Sequence, residues 1–358
     1  MLSPTAKFGY ILGLDGLRAF SVLIVLVAHF GLDYVVPGGF GVTVFFFISG
    51  FLITRLLIAE SEKENGINLF HFYLRRFARL YPALLFMVFG SSLLFAVFAL
   101  GGPTKSELFA AIFYGTNILL VLKSEGMANT YMSWTPLWSL AVEEHFYLFF
   151  PALIVLLNRK WDRIIRIITA LLFLVLLWRF FIIMATNLET ELYTYVMTDT
   201  RIDSIMWGCF LALLLHTRNA ITQTRWLVGF WPMGVAILML LSTFLVRDPV
   251  FRNTLRYSLQ GAALLILFMN LYYNRNMLFA IRILEWAPLV WLGRLSYPLY
   301  LWHFVMLDFW QRVLGNSPFT IFLAVLSSFT LASISFYWVE KPTIAIRKRF
   351  GAHIVTKK

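Results

Sequence analysis

Long apolar stretches recur along the chain, at about residues 16–36, 40–59, 83–100, 107–122, 138–157, 164–185, 201–215, 226–246, 256–273, 288–311 and 319–339. A helix of about 20 such residues crosses roughly 30 Å of hydrocarbon, so most of these runs are predicted membrane spans. They are continuously apolar, as in ALLFMVFGSSLLFAVFAL at 83–100, and do not alternate with polar residues, which sets aside an outer-membrane barrel. Basic residues gather between the runs. The segment LRRFARLYP and the tail KPTIAIRKRFGAHIVTKK are expected on the cytoplasmic side, where lysine and arginine are retained.

Working back from the tail, the loops near Arg282, near Arg218 with Arg225, and from Arg159 to Arg166 fall inside, and the acidic loop from Glu189 to Asp199 falls outside. Only one full crossing then fits between residues 81 and 122. The weaker run, 107–122, contains Glu107 and Asn117 and is read as a re-entrant or interfacial helix. The expected fold is an all-α polytopic membrane helix bundle of about ten transmembrane helices with both termini cytoplasmic. Residues 1–340 form its membrane domain and 341–358 a basic cytoplasmic tail.

Composition agrees: 60% of the 358 residues are hydrophobic, 18% aromatic and 13% charged, which leaves little material for a soluble domain. The formal net charge of +12 would suggest nucleic acid in a soluble protein. Here the basic residues flank apolar runs, and lipid headgroups and topology explain them first, so no nucleic-acid partner is expected. Cys209 is the only cysteine, which excludes an internal disulfide and a multi-cysteine zinc site. The opening MLSPTAKFGY lacks a cleavage pattern, so the first run is expected to stay in the membrane.

Charged side chains inside hydrocarbon are costly and mark functional candidates. In LDGLRAFSVLIVLVAHF, Arg18 and His29 lie eleven residues apart, about three helical turns plus 20°, on one face and about 16 Å apart along the axis. Arg76 and Arg79, with Arg75, form a guanidinium patch where the third run begins, suited to gripping phosphates. Glu143 and Glu144 in WSLAVEEHFYLFFP fall inside a helix that enters from the outside, close to its outer end. Arg201 and Asp203 read as an interfacial ion pair. His303, past Pro298, reads equally as a core histidine or a site residue, and His145 points about 100° away from Glu144. No metal-ligand spacing, nucleophile elbow or phosphate-cradling glycine loop is present.

Taken in order, these segments resemble the acyltransferase-3 family of integral membrane acyltransferases over nearly the whole chain. The arginine, ten residues and histidine of its signature correspond to Arg18 and His29. VFFFISGFLIT resembles its second helix, LRRFARLYP its arginine motif at Arg76 and Arg79, and WSLAVEEHFY its tryptophan-to-glutamate segment, with Trp138 and Glu143. TDTRIDSIMWG and SYPLYLWH match two further segments. His145 stands where an amide residue is common.

The resemblance implies a ten-helix core, acyl-coenzyme A (usually acetyl-coenzyme A) as cytoplasmic co-substrate with no permanently bound cofactor, a hydroxyl acceptor on an extracytoplasmic or lipid-linked sugar, and catalysis by the first-helix histidine. A bacterial inner membrane is the implied location. Some relatives carry an extra soluble hydrolase-like domain, which a chain ending at Lys358 is expected to lack.

The mechanism expected from these residues has Arg18, Arg76 and Arg79 holding the phosphates while the thioester reaches His29. That imidazole takes the proton of the attacking hydroxyl or carries the acyl group itself. Glu143 is placed to orient it, and Glu144, Trp138, Arg201, Asp203 and His303 to bind the acceptor or support the site. The rival reading is a proton-coupled transporter using the same buried residues as a relay.

Overall fold

The computed structural model describes residues 10–64, 66–186, 191–217 and 224–343. Glu189, Arg218 and both ends of the chain, including the tail from residue 344, lie outside the described residues. Among those described, the secondary structure is helical throughout. Its α-helices are α1 Leu14–Val27, α2 Gly38–Lys63, α3 Leu69–Val97, α4 Lys105–Ile112, α5 Thr116–Ser124, α6 Leu137–Leu156, α7 Trp161–Thr186, α8 Glu191–Val196 and α9 Thr198–His216, followed by α10 Phe230–Leu245, α11 Pro249–Asn253, α12 Leu255–Tyr273, α13 Leu278–Leu284, α14 Ala287–Leu314 and α15 Pro318–Ile334. Six of the described helices are long and apolar enough to cross a membrane, or seven if α12 and the segment after it, bent by 88°, count as one span. The chain is a multi-pass membrane protein. The remaining long runs also fold as helices: α9, α10 and α14 are short or carry charges.

The run at 107–122 is not one helix. It breaks at Tyr114, whose φ is 55°, into α4 and α5, of 8 and 9 residues. At 1.5 Å per residue each is less than half the hydrocarbon thickness. Thr104 and Glu107 form a reciprocal capping box that starts α4. The other oxygen of Glu107 accepts from the backbone amides of Tyr131 and Met132, each at 2.7 Å. This buried glutamate therefore anchors the 125–136 segment. His145 serves the break as well: its ring bonds the Thr198 hydroxyl at 2.7 Å, and Asn117 donates to the same hydroxyl at 3.1 Å.

Small residues set the closest crossings, as expected where helix packing replaces water exclusion as the driving force. A Cβ on Gly293 of α14 would stand 1.9 Å from the Asp15 carbonyl oxygen of α1, and one on Gly208 of α9 the same distance from the Phe47 carbonyl oxygen of α2. The Asp15–Gly293 contact lies near the start of both helices and the His29–His303 contact well along them, so α1 and α14 run parallel. Helix α3 joins them in the same sense, with Leu80 beside Tyr297, Phe86 beside Trp302 and Phe95 beside Phe309. Helix α6 runs the opposite way: Trp134, just before it, donates to Ser91, whereas Tyr147 lies under Arg76.

Candidate functional site

The helices α1, α2, α3, α6 and α14 enclose a cleft of about 810 Å³ including its mouth. Arg18, Arg76, Arg79 and Glu143 line it together with Ser49, Tyr147, Ser139 and Tyr300. Three residues singled out as a phosphate grip therefore converge on one space, although they come from two helices far apart in sequence. Proximity to the start of α1 and α3 puts this basic group at one end of the cleft. The parallel sense of those helices makes that possible.

Each charge has a distinct local setting. The Arg76 guanidinium lies 3.7 Å above the Tyr147 ring, a cation–π contact, and 4.0 Å from the Glu144 carboxylate. Its buried Nε makes no hydrogen bond to the described residues. Arg75 points elsewhere and forms an ion pair with the buried Glu60, whose other oxygen accepts from the Asn68 amide. That pair fastens α3 to α2, so Arg75 is a structural member of the cluster.

At the other end of the cleft, the hydroxyls of Ser139 and Tyr300 hydrogen-bond at 2.7 Å, and the tyrosine donates to the Pro136 carbonyl at 2.9 Å. Directly beyond stand two histidines. His29 Nδ1 lies 2.9 Å from His303 Nε2, with the rings edge to edge, centroids 5.0 Å apart and planes at 20°. His303 is fully buried and its Nδ1 is 2.7 Å from the Tyr300 carbonyl oxygen, whereas His29 is exposed.

The last turn of α1, Ala28–Leu32, is a π turn that breaks at Gly31, with φ 108°. This wider turn carries His29 toward α14, while Arg18 on the regular part of the helix faces the cleft. The two therefore serve opposite ends of the site.

The imidazole partner is His303. No hydrogen bond or ion pair joins Glu143 to His29 among the described residues; Glu143 lies with the arginines and Ser49. Register explains this. Ser139 is level with Tyr300, and Glu143 is one turn further along an antiparallel helix, which puts it about 10 Å below the histidines by helical rise.

The expected Arg201–Asp203 pair is not made. Two residues apart on a helix, they point about 200° away from each other. Asp203 instead pairs at 2.8 Å with Arg179 of α7, both fully buried, and Arg179 also donates to Ser258 and the Thr200 carbonyl. Arg179 is the residue that sequence reasoning passed over, although a charge deep inside the 164–185 run, thirteen residues past Arg166 near its start, was its signal. Arg201, also fully buried, lies 3.8 Å over the Tyr257 ring and 5.7 Å from that of Trp138, and its Nη2 reaches the Thr43 hydroxyl at 3.3 Å. Trp138 and Arg201 are thus neighbours, on the flank of the cleft. Among the described residues no group of His, Cys, Asp and Glu could hold a metal ion.

The charged residues of the bundle thus turn inward around a cleft, with a pair of histidines just past its far end, an arrangement fit for an enzyme site. A family model described as an acyltransferase domain, that of the acyltransferase-3 family, matches residues 11–338, and the chain belongs to this family. It is similar to the O-acetyltransferase OatA of Staphylococcus aureus (strain NCTC 8325), at 33% identity over 95% of this chain and 58% of the relative. It is also similar to the "Putative peptidoglycan O-acetyltransferase YrhL" of Bacillus subtilis (strain 168), at 29% identity over 96% of this chain and 56% of the relative. The chain therefore spans a little over half the length of these relatives. No solved structure matches it.

Proposed function

We propose that this chain is an integral membrane O-acyltransferase that moves an acyl group, acetyl first of all, from cytoplasmic acyl-coenzyme A to a hydroxyl of an extracytoplasmic or lipid-linked sugar. The observation that carries the reading is one cleft with Arg18, Arg76 and Arg79 at one end and the His29–His303 pair just past the other. Coenzyme A has the matching shape, with phosphates at one end and a thioester on a flexible arm. The arginines hold the phosphates with charge-assisted, paired donors. The arm then lies along the cleft with its carbonyl toward Tyr300.

His29 serves as the base. The acceptor hydroxyl gives its proton to the imidazole as its oxygen bonds to the thioester carbonyl carbon; the C–S bond breaks, and the imidazolium returns the proton to the departing sulfur. Glu143 balances the arginine charge beside the bound arm, and Trp138 with Arg201 supports the acceptor side. The names of OatA and YrhL support O-acetylation, and that of YrhL supports a cell-envelope glycan such as peptidoglycan as the acceptor class.

The topology proposed with this function has ten spans and both termini cytoplasmic, in a bacterial inner (cytoplasmic) membrane. The parallel sense of α1, α3 and α14 and the reversed sense of α6 support it, since the arginine end then faces the donor and His29 the acceptor.

The test uses radiolabelled acetyl-coenzyme A, supplied to the outer, cytoplasmic face of inverted membrane vesicles, with glycan mass spectrometry as the second readout. Wild type transfers label to envelope glycan and His29→Ala does not, although it inserts normally. Undiminished transfer by His29→Ala, or solute movement without consumption of acetyl-coenzyme A, overturns the reading.

A further inference from the structure

We propose that His303 is a positioning residue that fixes the tautomer of His29, holding its proton on Nδ1 and leaving Nε2 bare to accept the acceptor's proton. The inference rests on the reading of His29 as base and adds how that base is prepared. It follows from two contacts and a rule of donors and acceptors. The Tyr300 carbonyl oxygen can only accept, so the His303 Nδ1 that lies 2.7 Å from it carries a hydrogen.

A second proton on His303 would put a cation on a fully buried ring, and no described carboxylate forms an ion pair with it. His303 is therefore neutral, and its Nε2 is an acceptor. The partner at 2.9 Å, His29 Nδ1, must be the donor. A neutral imidazole has one N–H, so the remaining His29 nitrogen, Nε2, has a free lone pair.

This chain from backbone carbonyl to buried ring to exposed ring does for His29 what an orienting group does for any catalytic imidazole: it selects which nitrogen reacts and stops the ring from flipping. The two rings lie nearly coplanar and edge to edge, their planes at 20°, as an in-plane N–H···N bond requires, and Phe304 meets His29 edge-on with centroids 5.0 Å apart, which limits rotation further. Because His303 is sealed and His29 is exposed, the only nitrogen of the pair left for an incoming hydroxyl is His29 Nε2. In the step itself the hydroxyl proton moves to that nitrogen, the acyl C–O bond forms and the C–S bond of acyl-coenzyme A breaks. His303 exchanges no proton; its Nε2 takes a stronger hydrogen bond from the imidazolium.

Side-chain length separates positioning from packing. Glutamine at 303 places an amide oxygen near the position of Nε2 and can accept from His29; asparagine reaches only the Nδ1 position and keeps the bond to the Tyr300 carbonyl alone. In the full-length protein in detergent or vesicles, His303→Asn and His303→Leu are expected to lower kcat about a hundredfold or more, the scale of lost general-base catalysis, with the KM for acetyl-coenzyme A within about twofold of wild type. His303→Gln is expected to stay within about tenfold of wild type in kcat.

Retention on immobilised coenzyme A reports folding of each variant. Nitrogen-15 NMR of histidine-labelled wild type reads the tautomer without any variant, and a protonated His29 Nε2 at neutral pH overturns the proposal. So does near-wild-type kcat in His303→Asn, or a loss in His303→Gln equal to that in His303→Leu with coenzyme A still bound. His29→Ala runs alongside: if it transfers acyl groups normally the base reading itself fails, whereas an inactive His29→Ala beside fully active His303 variants removes only the inference drawn here.

Discussion

Tyr300 and Ser139 meet hydroxyl to hydroxyl at 2.7 Å, and this contact stands between the two halves of the site. Below it is the cleft with its arginines; above it the Tyr300 carbonyl holds His303. Tyr300→Phe keeps the ring and the carbonyl but removes the phenol from both Ser139 and the Pro136 carbonyl. The expected cost is about 1–3 kcal/mol for the buried groups left unsatisfied, with the histidine pair intact. Thermal unfolding in detergent measures the first and the rate of acyl transfer the second. An unchanged melting point would show that the hydroxyl contact adds nothing.

Arg76 and Arg79 should separate cleanly from Arg75 in kinetics. In the proposed function each of the first two supplies charge-assisted bonds to phosphate, of about 1.5–3 kcal/mol, so alanine at either is expected to raise the KM for acyl-coenzyme A about ten- to a hundredfold. Arg75→Ala strands the buried Glu60 carboxylate and should instead lower stability while leaving KM near wild type. Steady-state kinetics with varied donor distinguishes the three. Equal KM changes in all of them would dissolve the distinction.

The Arg179–Asp203 pair is fully buried, and removing one partner leaves an uncompensated charge. Arg179→Met or Asp203→Asn alone is expected to cost about 3–5 kcal/mol. The double variant Arg179→Met with Asp203→Leu should recover most of that loss, because two desolvated charges are replaced by apolar contacts. Yield of folded protein and thermal midpoint give the readout, and a double variant less stable than either single one would contradict this account.

Gly293 allows α14 to lie against α1. A methyl group there would come 1.9 Å from the Asp15 carbonyl oxygen, so Gly293→Ala forces the helices apart. Overpacking of this kind costs about 1–3 kcal/mol and moves His303 relative to His29. The variant is expected to lose activity more than coenzyme A binding. Wild-type turnover in Gly293→Ala would mean that the crossing has slack to spare.

Much of this arrangement can be read from the chain, and the exceptions have physical causes. Apolar periodicity locates the long helices because each must satisfy its own backbone in lipid. Arg18 and Glu143 stand out as charges inside such runs, Arg76 and Arg79 as a patch where one begins, and they do converge on one cleft. What a single helix cannot reveal is depth relative to its neighbours, which is why Glu143 could be expected beside His29 when it lies about two turns away. Angular position is legible: a two-residue spacing already argues against an Arg201–Asp203 pair, and Arg179 is visible as a charge deep inside its run. The π turn that aims His29 has no pattern in AHFGL beyond the glycine. The break at Tyr114 is hidden as well, although the capping box at Thr104 and Glu107 marks where α4 begins.

The two rings of the histidine pair are separated by 274 positions along the polypeptide. During synthesis the exposed ring therefore emerges well ahead of its companion. If His303 selects the reactive nitrogen of His29 as proposed, the early imidazole lacks that selection until the later helix has joined the bundle, and activation waits on assembly with no separate safeguard.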